Sequence, residues 1–197
     1  MIINTFRLRI AFVAIVTCTT FSCTQPTGLV NVVSSPAEDR AIETLRDDAA
    51  ITLDINEALV GTKYADLFFE VSTDVYERVV MLTGTVKFRQ NKYRATELVQ
   101  SVTGVKKIVN ALQVTSDYGP IKAANDLLIE TKLKVRLLGA DNIRSINFRW
   151  RAVKGVVYVI GAARTPDELA RVLDIISKTK LVKKVINYAW VRPKKVL

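Results

Sequence analysis

Along the chain the spacing of apolar positions changes in a regular order. From Ile121 to Leu138 apolar residues recur at helical intervals. Ile146, Phe148 and Trp150 then alternate with Asn147, Arg149 and Arg151, and Val156 to Ile160 is a continuous apolar run reached through Lys154-Gly155. A 3.6-residue spacing predicts a helix, and an alternation predicts a half-buried strand; a short run bounded by turn residues predicts a second strand. Thr165-Pro166-Asp167-Glu168 follows, a capping box with proline at the first helical position, and Leu169, Val172, Leu173 and Ile176 carry a stripe onward from it. A last strand is expected from Val182 to Val191.

The earlier part of the chain shows the same order. It predicts helix Ala49 to Val60, strands Phe68 to Thr73 and Arg78 to Thr85, helix Asn91 to Val102 and strand Val105 to Thr115. The recurrence is literal in places. Gly104-Val-Lys-Lys-Ile-Val-Asn-Ala-Leu-Gln-Val114 returns as Leu181-Val-Lys-Lys-Val-Ile-Asn-Tyr-Ala-Trp-Val191, and a shift of 77 positions also matches Val79, Val80, Gly84 and Arg94 with Val156, Val157, Gly161 and Arg171. One unit is therefore present twice, at residues 44–116 and 121–193, with a short basic tail at 194–197. Each unit is α-β-β-α-β, an α+β arrangement in which two helices cover one face of a three-stranded mixed sheet.

Composition adds bounds. Of 197 residues 49% are hydrophobic and 24% charged, the balance of a globular chain, and no 18-residue apolar span is present. Arg7 and Arg9 precede a short apolar run, Ile10 to Val16, and small and hydroxyl residues follow, so residues 1–22 are expected to be a secretory signal peptide. Cleavage would expose Cys23, the acceptor position of bacterial lipoproteins; Ser22 fits a lipobox, whereas Phe21 and Thr20 depart from it. A cleaved leader with an incidental Cys23 is the alternative. Cys18 lies inside the leader, which leaves Cys23 alone in the mature chain and excludes an internal disulfide. Residues 24–43, with Pro26, Gly28 and Pro36, are expected to form a tether.

Catalysis finds little to work with. The chain has no histidine, which removes the usual general base and most metal sites, and its carboxylates fall mainly on predicted exposed helix faces and turns. Gly84 and Gly161 stand without the further glycines of a phosphate loop and are expected at tight turns or close backbone approaches. No enzyme activity, metal or cofactor is expected.

Val80-Met-Leu-Thr-Gly-Thr-Val86, an arginine in the next helix and Gly104 to Val114 together resemble the BON domain. The second copy departs at Leu181, where glycine is usual, and at Ala163, where valine is usual. Two such domains cover nearly the whole mature chain, and with the leader and Cys23 the chain is similar to dual BON-domain lipoproteins of the bacterial envelope. The resemblance implies a non-enzymatic, periplasm-facing protein anchored at the outer membrane that supports envelope integrity. It also implies that the second domain binds anionic phospholipid through its first helix. Thr24 is not the aspartate that retains enterobacterial lipoproteins at the inner membrane.

Charge then separates the copies. The chain has a net charge of +10, yet residues 44–116 hold nine basic and nine acidic side chains while residues 121–197 hold seventeen and six. An anionic partner for the second unit follows, and secretion turns attention from nucleic acid to phospholipid headgroups. With Asp48 aligned on Asp126, the stripes Ile51, Ile55, Leu59 and Ile129, Leu133, Leu137 coincide as core faces. The opposite faces differ: the second helix carries Leu127, Leu128, Thr131, Val135 and Leu138 edged by Lys132 and Lys134, against Ala49, Ala50, Leu53, Glu57, Val60, Asp54 and Asn56 in the first. An outward apolar strip with flanking cations fits an interfacial helix. The same strip would alternatively be buried against the first domain or the tether, or against a protein if the chain is a soluble periplasmic interaction module of the osmotically induced BON type.

Overall fold

The computed structural model describes residues 40–60, 67 and 70–193. The expected signal peptide, Cys23, the tether up to residue 39 and the tail 194–197 lie outside the described residues.

The first unit runs α1 (Ile42–Val60), β1 (Val71–Tyr76), β2 (Val79–Val86), α2 (Arg89–Gln100), β3 (Lys107–Asn110) and β4 (Gln113–Val114). The second repeats it as α3 (Pro120–Leu138), β5 (Phe148–Val153), β6 (Val156–Ala163), α4 (Pro166–Ser177), β7 (Lys184–Asn187) and β8 (Trp190–Val191), with a 3-10 turn at Ser145–Asn147 before β5. In each unit the second strand is central. It pairs antiparallel with the first, Val75 opposite Val80 and Ala152 opposite Val157, and parallel with both pieces of the last. The mixed sheet expected from the sequence is present twice.

Several boundaries differ from expectation for local reasons. Helix α1 begins at Ile42 rather than Ala49, because an ion pair between Arg40 and Asp48 secures its first turns while Ile42 stays exposed and leaves no apolar period to read. Among the described residues the first strand starts at Val71, its expected start at Phe68 lying outside them, and Ile146 belongs to the 3-10 turn rather than to β5. The single last strand is broken in two in both copies. There the Asn110 side-chain carbonyl accepts from Leu112 N at 3.1 Å and that of Asn187 from Ala189 N at 2.8 Å, a local turn that competes with the ladder. Gly84 and Gly161 lie inside the central strands, not at turns. A Cβ there would stand 2.1 Å from the Glu70 carbonyl oxygen and 2.2 Å from that of Asn147, so the close backbone approach is what requires glycine.

Three apolar clusters layer the molecule. One joins Ile51, Ile55 and Leu59 of α1 to the sheet of the first unit, and a second joins Ile129, Leu133 and Leu137 of α3 to the sheet of the second. The third contains no helix residue: Tyr76, Met81, Val109 and Ala111 pack with Val153, Tyr158, Ile160 and Ala162. The sheets therefore stack on each other, and the helices lie on the two outer faces. The strand predicted to be half-buried, β5, therefore has its far side against the other sheet, and Arg151 on that side is partly covered.

Candidate membrane-contact face

Helix α3 opens with Pro120 at its first position and ends at Gly139, so its limits are set by backbone chemistry, not by side-chain caps. Its inward face buries Asp126, Ile129, Leu133 and Leu137. The aspartate is there for the neighbouring hairpin: Asp126 accepts from Lys154 N at 2.7 Å and Gly155 N at 2.8 Å, as Asp48 accepts from Glu77 N and Arg78 N at 2.8 Å each. Each carboxylate thus ties a helix to a turn whose two central residues have positive φ. These bonds fix the rotation of α3 about its axis, and with it the direction of the outer face.

That outer face is open. Ile121, Leu127, Leu128, Val135 and Leu138 are 80%, 65%, 43%, 68% and 72% exposed, and no described residue covers them. The burial of this strip against the first unit, one of the readings left open by the sequence, does not occur among the described residues. Ile121 extends the strip by a turn and was missed as a member, although a 100° wheel places it beside Leu128. Thr131 is exposed among them and donates to the Leu127 carbonyl at 2.9 Å, which satisfies its hydroxyl within the helix. Lys134 is exposed and Lys132 half-buried on the flanks. On α1 the exposed apolar residues Leu53 and Val60 sit among Asp54 and Glu57.

The two flanks of α3 are chemically unlike. On the Lys132 side, Thr131, Lys132, Val135, Arg136, Thr179 and Lys180 line an open groove of about 420 Å³. Arg136 fastens this side to the end of α4, donating to the Ile175 carbonyl at 3.1 Å and to the Thr179 hydroxyl at 2.5 Å. Nearer the start of α3, Lys122, Lys154 and Lys183 line a basin of about 260 Å³ with Asp117, whose carboxyl is held below the usual range by a hydrogen bond from Lys122. Sequence reasoning did not assign Arg136, Lys180 or Lys122 to the face; only the packing of α4 and the β7 entry turn beside α3 brings them there. On the opposite flank, Leu127 borders a cleft with Glu70, Glu130, Asp126 and Arg151. Burial pushes the Glu130 carboxyl up, and Asp74 and Asp126 add to it, against the opposing bond from Ala152 N and the charge of Arg151.

An apolar strip edged by cations can settle on an anionic interface. Among the described residues no group of three or more Cys, Asp or Glu side chains has metal-binding geometry, and no helix is long and apolar enough to cross a membrane.

The family model of the BON domain matches residues 47–116 and 125–193. A curated relative, the uncharacterized protein in the gshII 5' region of Anaplasma centrale, is 34% identical over 151 residues, which is 76% of this chain and 98% of that protein. Among solved structures, CdsD of Chlamydia trachomatis, a structural protein of the type III secretion system, is 11% identical with a TM-score of 0.33 over 74% of this chain and 93% of that one.

Proposed function

The chain belongs to the BON-domain family, of which it carries two copies, and from that premise we propose that it is a non-enzymatic envelope lipoprotein, akin to the outer-membrane lipoprotein DolP, that rests on anionic phospholipid through the outer face of α3. The observation that carries this reading is the uncovered strip Ile121–Leu138 with lysines at its edges, most densely on the Lys132 side. Leu127, Leu128, Val135 and Leu138 enter the acyl boundary, while Lys132, Lys134 and Arg136, with Lys180, meet headgroup phosphates.

Magnitudes make this a weak contact that an anchor turns into a useful one. Full burial of a Leu or Val is worth about 1.5–3 kcal/mol and each Lys near an anionic surface about 1 kcal/mol. Insertion is partial, so the sum is a few kcal/mol. An acyl chain on Cys23 raises the effective concentration of the face at the bilayer and converts that sum into a preference for anionic patches.

A soluble form beginning at Thr24 is expected to co-sediment with anionic liposomes and to release in high salt. Leu128→Asp and Leu138→Asp, both at exposed positions, are expected to keep the wild-type melting temperature and lose binding. Undiminished binding by these folded variants overturns the site. Mass spectrometry of the mature N-terminus checks the anchor separately: a diacylglyceryl adduct on Cys23 is expected, and an unmodified one would leave a soluble periplasmic module.

A further inference from the structure

Repeat-equivalent residues touch each other where the two sheets meet. Asp74 and Arg151 stand 77 positions apart, the period of the repeat, on the matching strands β1 and β5. The guanidinium binds the carboxylate twice, Nε to Oδ2 at 2.8 Å and Nη2 to Oδ1 at 3.1 Å. A position contacts its own counterpart only at a two-fold axis.

The neighbouring contacts come in the pairs that such an axis requires. Tyr76 meets Trp190 edge-on with ring centroids 5.7 Å apart, and their counterparts Val153 and Gln113 also meet, the Gln113 amide donating to the Val153 carbonyl at 3.1 Å. Glu77 pairs with Arg192 at 2.5 Å, and their counterparts Lys154 and Thr115 meet at 3.4 Å. The chain is thus an internal dimer of its own halves.

Apolar faces alone do not choose partners. Tyr76, Met81, Tyr158 and Ile160 would pack against any sheet of this kind, including the same sheet of a second chain. We propose that the opposite charges at the axis make the choice: Asp74 and Arg151 select pairing of unlike halves and reject like-with-like pairing between chains. A first half on a first half would oppose two aspartates, and a second half on a second half two arginines. Asp74 is buried and Arg151 partly so, which keeps the interaction strong and makes either homotypic arrangement repulsive. The five residues Thr115 to Gly119 that join the halves then favour closure within one chain.

Charge reversal in the full chain tests this. Glu130 lies 3.8 Å from Arg151 and would face an aspartate in a swapped chain, so the series is built on Glu130→Gln. Asp74→Arg and Arg151→Asp alone are expected to open the stack, seen as a larger radius of gyration in X-ray scattering and as separate melting of the two halves. The double variant is expected to regain the parent's radius, single melting transition and monomeric sedimentation. If the single variants fail to fold, recovery of all three properties by the double variant still supports selection by charge. A double variant no better than the singles, or singles that stay closed with the parent's melting temperature, overturns the proposal.

Discussion

At the scale of residues, the two copies are held by the same few polar side chains, and most are visible in the sequence only as matched letters. Asp48 and Asp126 align and sit on the core face, yet their partners are turn amides 29 and 28 positions away, so their role becomes legible only when the hairpin is folded back onto the helix. Asn110 and Asn187 belong to the literal repeat and interrupt the last strand, which a β-branched run does not reveal. The departure at Leu181 has a conformational cost. Leu181 has φ 78° where Gly104 of the first copy has φ 92°, and the left-handed region disfavours a residue with a Cβ by about 1–2 kcal/mol. Leu181→Gly is expected to raise stability, by about 0.5–1 kcal/mol once the greater freedom of glycine in the unfolded chain is offset. Urea unfolding with an unchanged slope would report it.

At the scale of elements, helix α4 carries a buried glutamate, Glu168, and helix α3 a half-buried one, Glu130, and the two respond oppositely to acid. In the capping box, Thr165 accepts from Glu168 N at 3.1 Å as its sequence predicts, but the Glu168 carboxylate reaches past the cap to Arg164 N and Arg144 N, each at 2.7 Å. Burial would raise its pKa; the Arg164 side chain and these two amides outweigh burial and hold it below the usual range. Its contribution to stability is therefore present above the ordinary glutamate value and is lost as pH falls through the lowered one. Glu130 is displaced upward, so its contribution is present below the ordinary value and lost as pH rises through the raised one. In thermal melts, Glu168→Gln is expected to destabilise at pH 7, a difference that shrinks as pH falls below about 4, near the unperturbed glutamate pKa; Glu130→Gln is expected to stabilise at pH 7, a difference that shrinks as pH falls through the raised value and is gone by about pH 4. The existence and order of these elements were legible because spacing and capping are local. The early start of α1 was not, because an ion pair rather than an apolar stripe secures it.

At the scale of the whole molecule, the sequence showed two units and their inward helix faces but not how the units meet. The signal was present in the central strands, which open on unbroken apolar runs, Val79–Leu82 and Val156–Ile160; a strand with one solvated face would alternate. Pairing sheet on sheet sends α1 and α3 to opposite outer surfaces, so a bilayer that touches one helix does not touch the other. The stack is also electrically lopsided, neutral through the layers of residues 44–116 and strongly positive through those of 121–197. That asymmetry amounts to an electric dipole directed across the layers. On the proposed lipid-binding reading, the torque near an anionic surface would turn α3 toward the lipid before any apolar contact forms, and stopped-flow association with anionic vesicles is expected to slow steeply as ionic strength rises. Two copies of one fold that differ in charge thus give the molecule a sense of up and down.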